Sequence, residues 1–177
     1  PATFFATPSW IENHRSLAIQ ICQQGHEIQG LGEQAVCVEQ MTAKACRKEL
    51  QKIRETIGTV TEEPGVFFRI PGGEYNNEVL RTIYACGSYP VAWSVDSMDW
   101  KEYEASELVR QLLQSCTIRD GEILRFHGEG ENTGEMVKLL HPRLKEEGYE
   151  AVTVSQMVYK DRYRMTTDGR QIPEKSK

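Results

Sequence analysis

The sequence predicts an α/β fold with parallel strands, and three observations predict it. Short apolar segments of strand length alternate with longer stretches whose apolar residues recur at helical spacing. The alternation runs along nearly the whole chain, a pattern that joins parallel strands through right-handed helical crossovers. Arginine, aspartate and histidine residues fall just after several of the strands, where parallel α/β folds place their chemistry. Taken in order, Ala2 to Phe5 is a strand, and Ser9 to Gln24 is a helix carrying Trp10, Ile11, Leu17, Ile21 and Cys22, closed by Gly25. His26 to Gln29 is a short strand. Thr42 is an N-cap for a helix to Ile57, with Leu50, Ile53 and Ile57 on one stripe. A strand at Val66 to Phe68, a helix from Asn76 to Cys86 and a strand from Val91 to Val95 follow. Then come a helix from Ala105 to Ser115, a strand from Ile123 to Phe126, a helix from Thr133 to Glu146 and a last strand from Ala151 to Val154. The polar residues from Lys160 onward predict a poorly packed tail. The expected division is one domain over 1–158 and a tail over 159–177.

Bulk properties narrow the function classes. Twenty-one Lys and Arg against 26 Asp and Glu give a net charge of −5 with no basic tract, so nucleic acid is not an expected partner. No apolar run has the length of a membrane span. The start at Pro1 lacks a basic-then-apolar leader and reads as a fragment or processed product. Cysteines 22, 37, 46, 86 and 116 are odd in number and form no CxxC, which fits buried free thiols better than a disulfide framework or zinc knuckle. Compartment and oligomeric state are left open.

The stretch FFRIPGGEYN, residues 67–76, carries a buried strand into Arg69 and then a Pro71-Gly72-Gly73 turn. Arg69 is either a scaffold residue paired with a carboxylate or the orienter of an acid in a site. Asp96 and Asp99 follow the strand Val91 to Val95, and His127 follows Ile123 to Phe126. Three strand ends thus aim an arginine, two carboxylates and a histidine at one rim, with Arg69 expected to pair with Asp96 or Asp99. Trp93 is expected in the core. His14 reads as a packed or capping residue, His141 as a partly exposed helix residue, and His26, beside Glu27, has the look of a metal ligand. Glu33 and Gln34, a weak cation-binding possibility, read as loop charge and polarity, as do Glu129 and Glu131.

FFRIPGGEYN, then WSVDSMDW, then ILRFH, in that order and separated by helices, resemble the polysaccharide deacetylase (NodB homology) family. ATFF near the start, GHEI after the first helix and GYEAVTVSQM near the end are similar to it as well, and the resemblance implies that His26 of GHEI lies outside the metal site. The resemblance implies a distorted (β/α)7-type barrel, here missing its first strand, and metal-dependent removal of acetyl groups from glycans such as peptidoglycan, chitin or xylan. It implies that Arg69 orients the family's catalytic base, that Asp96 and Asp99 lie in the motif whose aspartate tunes the acid histidine, and that His127 protonates the leaving amine, so that His127, Asp96 and Arg69 are the catalytic candidates and Asp99 is counted with the substrate-binding residues. Trp100 would wall the acetyl pocket, Gly72, Gly73 and Asn76 would lie in the substrate loop, and Tyr75 would either stack on a sugar or pack its own loop.

Three departures accompany the resemblance. The family's Asp-Asp motif lies upstream of where this sequence begins. Leu31 and Ala35 stand where the family places two metal-binding histidines, so no cofactor is expected in this chain although the family uses a divalent metal such as zinc. Arg125 stands where an apolar wall residue is usual, and it either points away or fills the acetyl pocket. The expectation is therefore a domain that acts on or recognises acetylated cell-envelope glycan with impaired catalysis. The alternatives are an active metal-dependent deacetylase once the missing strand is present, or a non-catalytic interaction scaffold. The family implies an extracytoplasmic setting. An open barrel edge is expected between Ala2–Phe5 and Ala151–Val154, a place for an upstream segment or self-association.

Overall fold

The structure, a computed structural model, describes residues 1–33, 42–62 and 64–174. Four parallel strands form one sheet in the order β1 (Thr3–Ala6), β2 (Glu27–Leu31), β3 (Phe67–Arg69) and β4 (Tyr89–Pro90). A second parallel pair joins β5 (Val95–Asp96) to β6 (Leu124–Arg125). Helices α1 (Pro8–Asn13), α2 (Arg15–Gln23), α3 (Ala43–Ile57), α4 (Asn77–Ala85), α5 (Ala105–Ser115), α6 (Thr133–Glu146) and α7 (Val154–Met157) fill the connections. The α/β prediction is borne out. Among the described residues the strands do not close into a ring.

Packing on α3 shows why these residues fold this way. Thr42 Oγ1 accepts from Ala45 N–H at 3.2 Å and caps the helix, while Cys46, Leu50, Ile53 and Ile57 present a buried stripe to the four-stranded sheet. Burying each of the larger members of that stripe contributes about 1.5–3 kcal/mol. Contact is so close that a Cβ on Gly30 of β2 would lie 2.4 Å from Ile53 Cγ2. Only glycine fits there. Gln29 Oε1 accepts Phe67 N–H at 3.0 Å and fixes the start of β3 beside β2. A second core, of Val95, Leu108, Val109, Leu112, Met136 and Leu140, ties α5 and α6 to β5.

Four expectations need correction. The first helix breaks at His14, which leaves helical geometry and stacks on Trp10 at 5.1 Å. The expected strand Val91–Val95 divides: Tyr89 and Pro90 pair with β3, Val95 and Asp96 pair with β6, and the chain between changes partners and has no ladder of its own. Residues 151–153 form no strand. Thr153 and Gln156 instead make a capping box that starts α7 at Val154. The polar tail is partly ordered, since β7 (Tyr163–Met165) and β8 (Gln171–Pro173) make an antiparallel hairpin, and Arg170 pairs with Glu122 at 2.6 Å.

The free edge of β1 is bridged to the C-terminal segment at one end only. Thr3 Oγ1 accepts Val154 N–H at 2.8 Å and donates to Glu27 Oε1 at 2.6 Å, and that same oxygen accepts Ser155 N–H at 3.1 Å. Side chains, not a strand ladder, make the join. A cavity of about 1150 Å³ is lined among others by Phe67, Tyr75, Tyr84, Tyr89, Trp93 and Tyr163.

Candidate functional site

The site is assembled from the ends of β3, β5 and β6. Parallel pairing sets Asp96 directly across from Arg125 and, on the other sheet, Leu31 across from Arg69. Two residues past Arg125, the chain turns and presents His127.

Asp99 is the anchor. Its side chain is fully buried, and it collects donors from three places: Ser97 Oγ at 2.9 Å, the Thr133 hydroxyl, and the backbone N–H of His127 at 3.1 and 2.9 Å to its two oxygens. The His127 ring places Nδ1 2.6 Å from Asp99 Oδ1. Burial alone would raise the Asp99 carboxyl, but hydrogen bonds from Thr133, His127 and Ser97 outweigh it and hold it below its ordinary value. An ionised carboxylate only accepts, so Nδ1 carries the proton and Nε2 is left to exchange one with a ligand. The His127 side chain is 30% exposed, enough to meet one. This pair can perform general acid–base work. Gly130 makes the arrangement possible, because a Cβ there would lie 2.5 Å from Thr133 Oγ1 and 3.0 Å from Asp99 Oδ2.

Asp96, expected as the catalytic carboxylate beside His127, serves a different partner, and Asp99, expected at the substrate, takes the histidine. Asp96 pairs with Arg125 through Nη2 and accepts Met98 N–H at 3.0 Å, holding Met98 at a φ of 56°. The expectation that Arg69 would take Asp96 or Asp99 is corrected. Arg125, directly across the ladder, takes Asp96, while Asp99 is consumed by His127, Ser97 and Thr133. The Arg69 guanidinium lies over the Trp93 ring at 4.5 Å, and that of Arg125 lies over the same ring at 3.9 Å. Burial, then the charge of Arg125, push Arg69 below its ordinary value, with Asp96 opposing. Trp93 is accordingly half-buried against two charged groups, where a core position was expected. The Arg125 side chain is largely buried, over Trp93 and beside Asp96.

The substrate-loop residues divide. Trp100 is 57% exposed with Lys101 Nζ 5.8 Å from its ring centroid, and Tyr75 is 54% exposed. Asn76 Oδ1 accepts Val79 N–H at 2.9 Å and caps α4. Gly73, at φ 79°, lets the turn press on Trp93, where a Cβ would meet Cη2 at 2.5 Å; Gly72 has open space around it. Glu33 is engaged by Ser9 N–H at 2.6 Å and Ser9 Oγ at 2.7 Å. Gln34, Ala35 and Cys37 lie outside the described residues. Sequence reasoning missed Ser97 and Thr133, whose hydroxyls hold Asp99. The polar run Ser97-Met98-Asp99 and a threonine opening α6 were the available signals.

A parallel α/β domain thus brings a histidine–carboxylate pair and two arginines to its strand ends. Residues 1–91 match the Polysaccharide deacetylase family, and the chain belongs to that family. It is 27% identical over 157 residues to the uncharacterized protein YlxY of Bacillus subtilis, covering 89% of this chain and 48% of that one. It is 28% identical over 159 residues to the peptidoglycan-N-acetylglucosamine deacetylase PgdA of Listeria monocytogenes, covering 88% of this chain and 32% of that protein. The chain thus spans about half the length, or less, of these curated relatives. In fold it is similar to BA3943 of Bacillus anthracis, a CE4 family pseudoenzyme, with a TM-score of 0.79 and 24% identity over 88% of this chain and 54% of that one.

Among the described residues no group of three or more His, Cys, Asp or Glu is placed to hold the family's metal. Leu31, at the end of β2 beside Arg69, has no lone pair to offer, and alanine at position 35 has none either.

Proposed function

We propose that this domain recognises acetylated cell-envelope glycan, of the peptidoglycan or chitin kind, with metal-dependent deacetylation impaired. One observation carries the reading: Leu31 stands in ladder register with Arg69, at the strand end where the family resemblance calls for a metal-binding histidine. Without a metal, polarisation of the acetyl carbonyl and activation of water each forgo several kcal/mol of barrier lowering. The surviving groups bind and position. Trp100 and Tyr75 offer exposed rings to sugar faces, and His127, oriented by Asp99, reaches a ligand amide or hydroxyl through Nε2. Peptidoglycan as the glycan draws support from the name of the Listeria relative. In this reading the two parallel sheets are arcs of a distorted barrel whose gap lies beside β1, and the setting is extracytoplasmic.

The intact Asp99–His127 pair favours a second reading, an active deacetylase whose metal ligands come from other residues. Titrating the ¹⁵N-labelled chain with an N-acetylated chito-oligosaccharide tests recognition directly. Shifts are expected at the Trp100 indole and at the His127 and Tyr75 amides. A spectrum unchanged at millimolar oligosaccharide would remove glycan recognition and leave only a scaffold.

A further inference from the structure

Thr133, the first residue of α6, holds one hydroxyl proton between two acceptors. Its Oγ1 meets Asp99 Oδ2 and lies 2.9 Å from the carbonyl oxygen of His127. That carbonyl already accepts Gly130 N–H at 3.2 Å, and an ionised carboxylate is the stronger acceptor, so the proton goes to Asp99. The carboxylate has other holds. Ser97 Oγ at 2.9 Å and the His127 N–H, at 3.1 and 2.9 Å to the two oxygens, keep it in place without Thr133. The hydroxyl therefore matters more for the charge on Asp99 than for its position. Burial pushes the Asp99 carboxyl up, and of the hydrogen bonds that outweigh burial the one from Thr133 is the largest.

We infer that Thr133 is a positioning residue that acts through Asp99 on His127, drawing negative charge away from the ring so that the imidazolium gives up its proton more readily. The step is short. A donor on Oδ2 weakens the hold of Oδ1 on the proton at Nδ1, 2.6 Å away, and so removes part of what stabilises the charged ring. On the glycan reading above, in which Nε2 meets the ligand, Thr133 sets the pH at which that nitrogen stops donating to a sugar oxygen and starts accepting from a sugar hydroxyl or amide. Other charges around the ring are engaged or screened. Asp99 is the acidic group in an ion pair with His127, Asp96 and Arg125 pair with each other, and Arg69 lies over Trp93. Lys101 lies near the Trp100 ring and Glu135 pairs with Lys138, while Glu102, Glu104, Glu129 and Glu131 are exposed.

The test follows the His127 ring Cε1–H by NMR from about pH 5 to about pH 9 in the free chain, the signal being the one missing from His127→Gln. Thr133→Ala, which lacks the hydroxyl, should move the midpoint of the ring titration up by about half a pH unit or more. Thr133→Val should move it the same way. Thr133→Ser keeps the hydroxyl and should leave the midpoint in place. A purely structural role predicts the opposite sign, because a loosened pair weakens the attraction of the carboxylate for the charged ring and lowers the midpoint. A midpoint unchanged or lowered in both Thr133→Ala and Thr133→Val, or raised equally in Thr133→Ser, overturns the inference. No sugar enters this titration, so it is read separately from glycan recognition. If the midpoint rises as expected and N-acetylated chito-oligosaccharide still shifts no signal, the role of Thr133 stands and the glycan reading falls.

Discussion

His127 and Asp99 meet twice: the ring Nδ1 lies 2.6 Å from Asp99 Oδ1, and the backbone N–H of the same histidine donates to both carboxylate oxygens. One buried carboxylate therefore sets the position of the histidine backbone and the tautomer of its ring together. Asp99→Asn keeps the shape and removes the charge. It is expected to destabilise the chain by about 1–3 kcal/mol at pH 7 in urea unfolding, because the Ser97, Thr133 and His127 donors face an amide that supplies a single acceptor oxygen. An unchanged urea midpoint would show that Asp99 does not anchor the rim.

The same carboxylate predicts a pH dependence. Its folded value is held below the ordinary one, so the unfolded chain binds a proton first as pH falls. Its contribution is complete above the ordinary value, near pH 4, and is lost as pH drops toward the folded value. Urea midpoints measured from pH 7 to pH 2.5 should fall more steeply below about pH 4 for the natural chain than for Asp99→Asn. Parallel curves would contradict the assignment.

Adjacent glycines in the turn after β3 separate backbone strain from contact. Both have positive φ, at 73° and 79°, but only Gly73 faces Trp93. Gly72→Ala should cost about 1–2 kcal/mol. Gly73→Ala adds displacement of the indole and should cost about 1–3 kcal/mol more, with a change in tryptophan fluorescence that Gly72→Ala does not produce. Identical fluorescence from the two variants would mean that the turn does not press on the ring.

Under the sheet, Gly30 and Ile53 should be coupled. Gly30→Ala overpacks against Ile53 Cγ2 and should cost about 1–3 kcal/mol, and Ile53→Ala should cost about 2–5 kcal/mol through the cavity it leaves. Made together, they should cost clearly less than the sum, since the alanine methyl enters the space the isoleucine vacates. Additivity would place the two residues out of contact.

Helix positions were legible because caps and stripes are local. Thr42 and Asn76 cap the helices they were read to open, and α5 and α6 span the residues their periodicity indicates. Thr153-x-x-Gln156 was a local signal too, overlooked because the apolar run beside it resembles a strand. Pairing was not legible. Whether Val91–Val95 holds one partner or changes sheets depends on residues far along the chain, as does the choice of Arg125 over Arg69 by Asp96. That His127 shares a rim with Asp96 and Asp99 followed from reading all three at strand ends, but the carboxylate it meets is Asp99, read as a substrate-binding residue, and not Asp96, read as catalytic. The stacking of both arginines on Trp93 had no local signature, since it needs three segments to converge.

The central claim is recognition without metal-dependent turnover, and acetate release measured alongside metal content tests it most directly. The chain would be supplied with zinc or cobalt, freed of excess by gel filtration, analysed for bound metal, and incubated with N-acetylated chito-oligosaccharide. The account predicts metal well below one ion per chain and acetate release at the level of a blank, while the oligosaccharide still shifts the Trp100 signal. One tightly held ion per chain, with acetate released over many turnovers and abolished by His127→Ala, would contradict it.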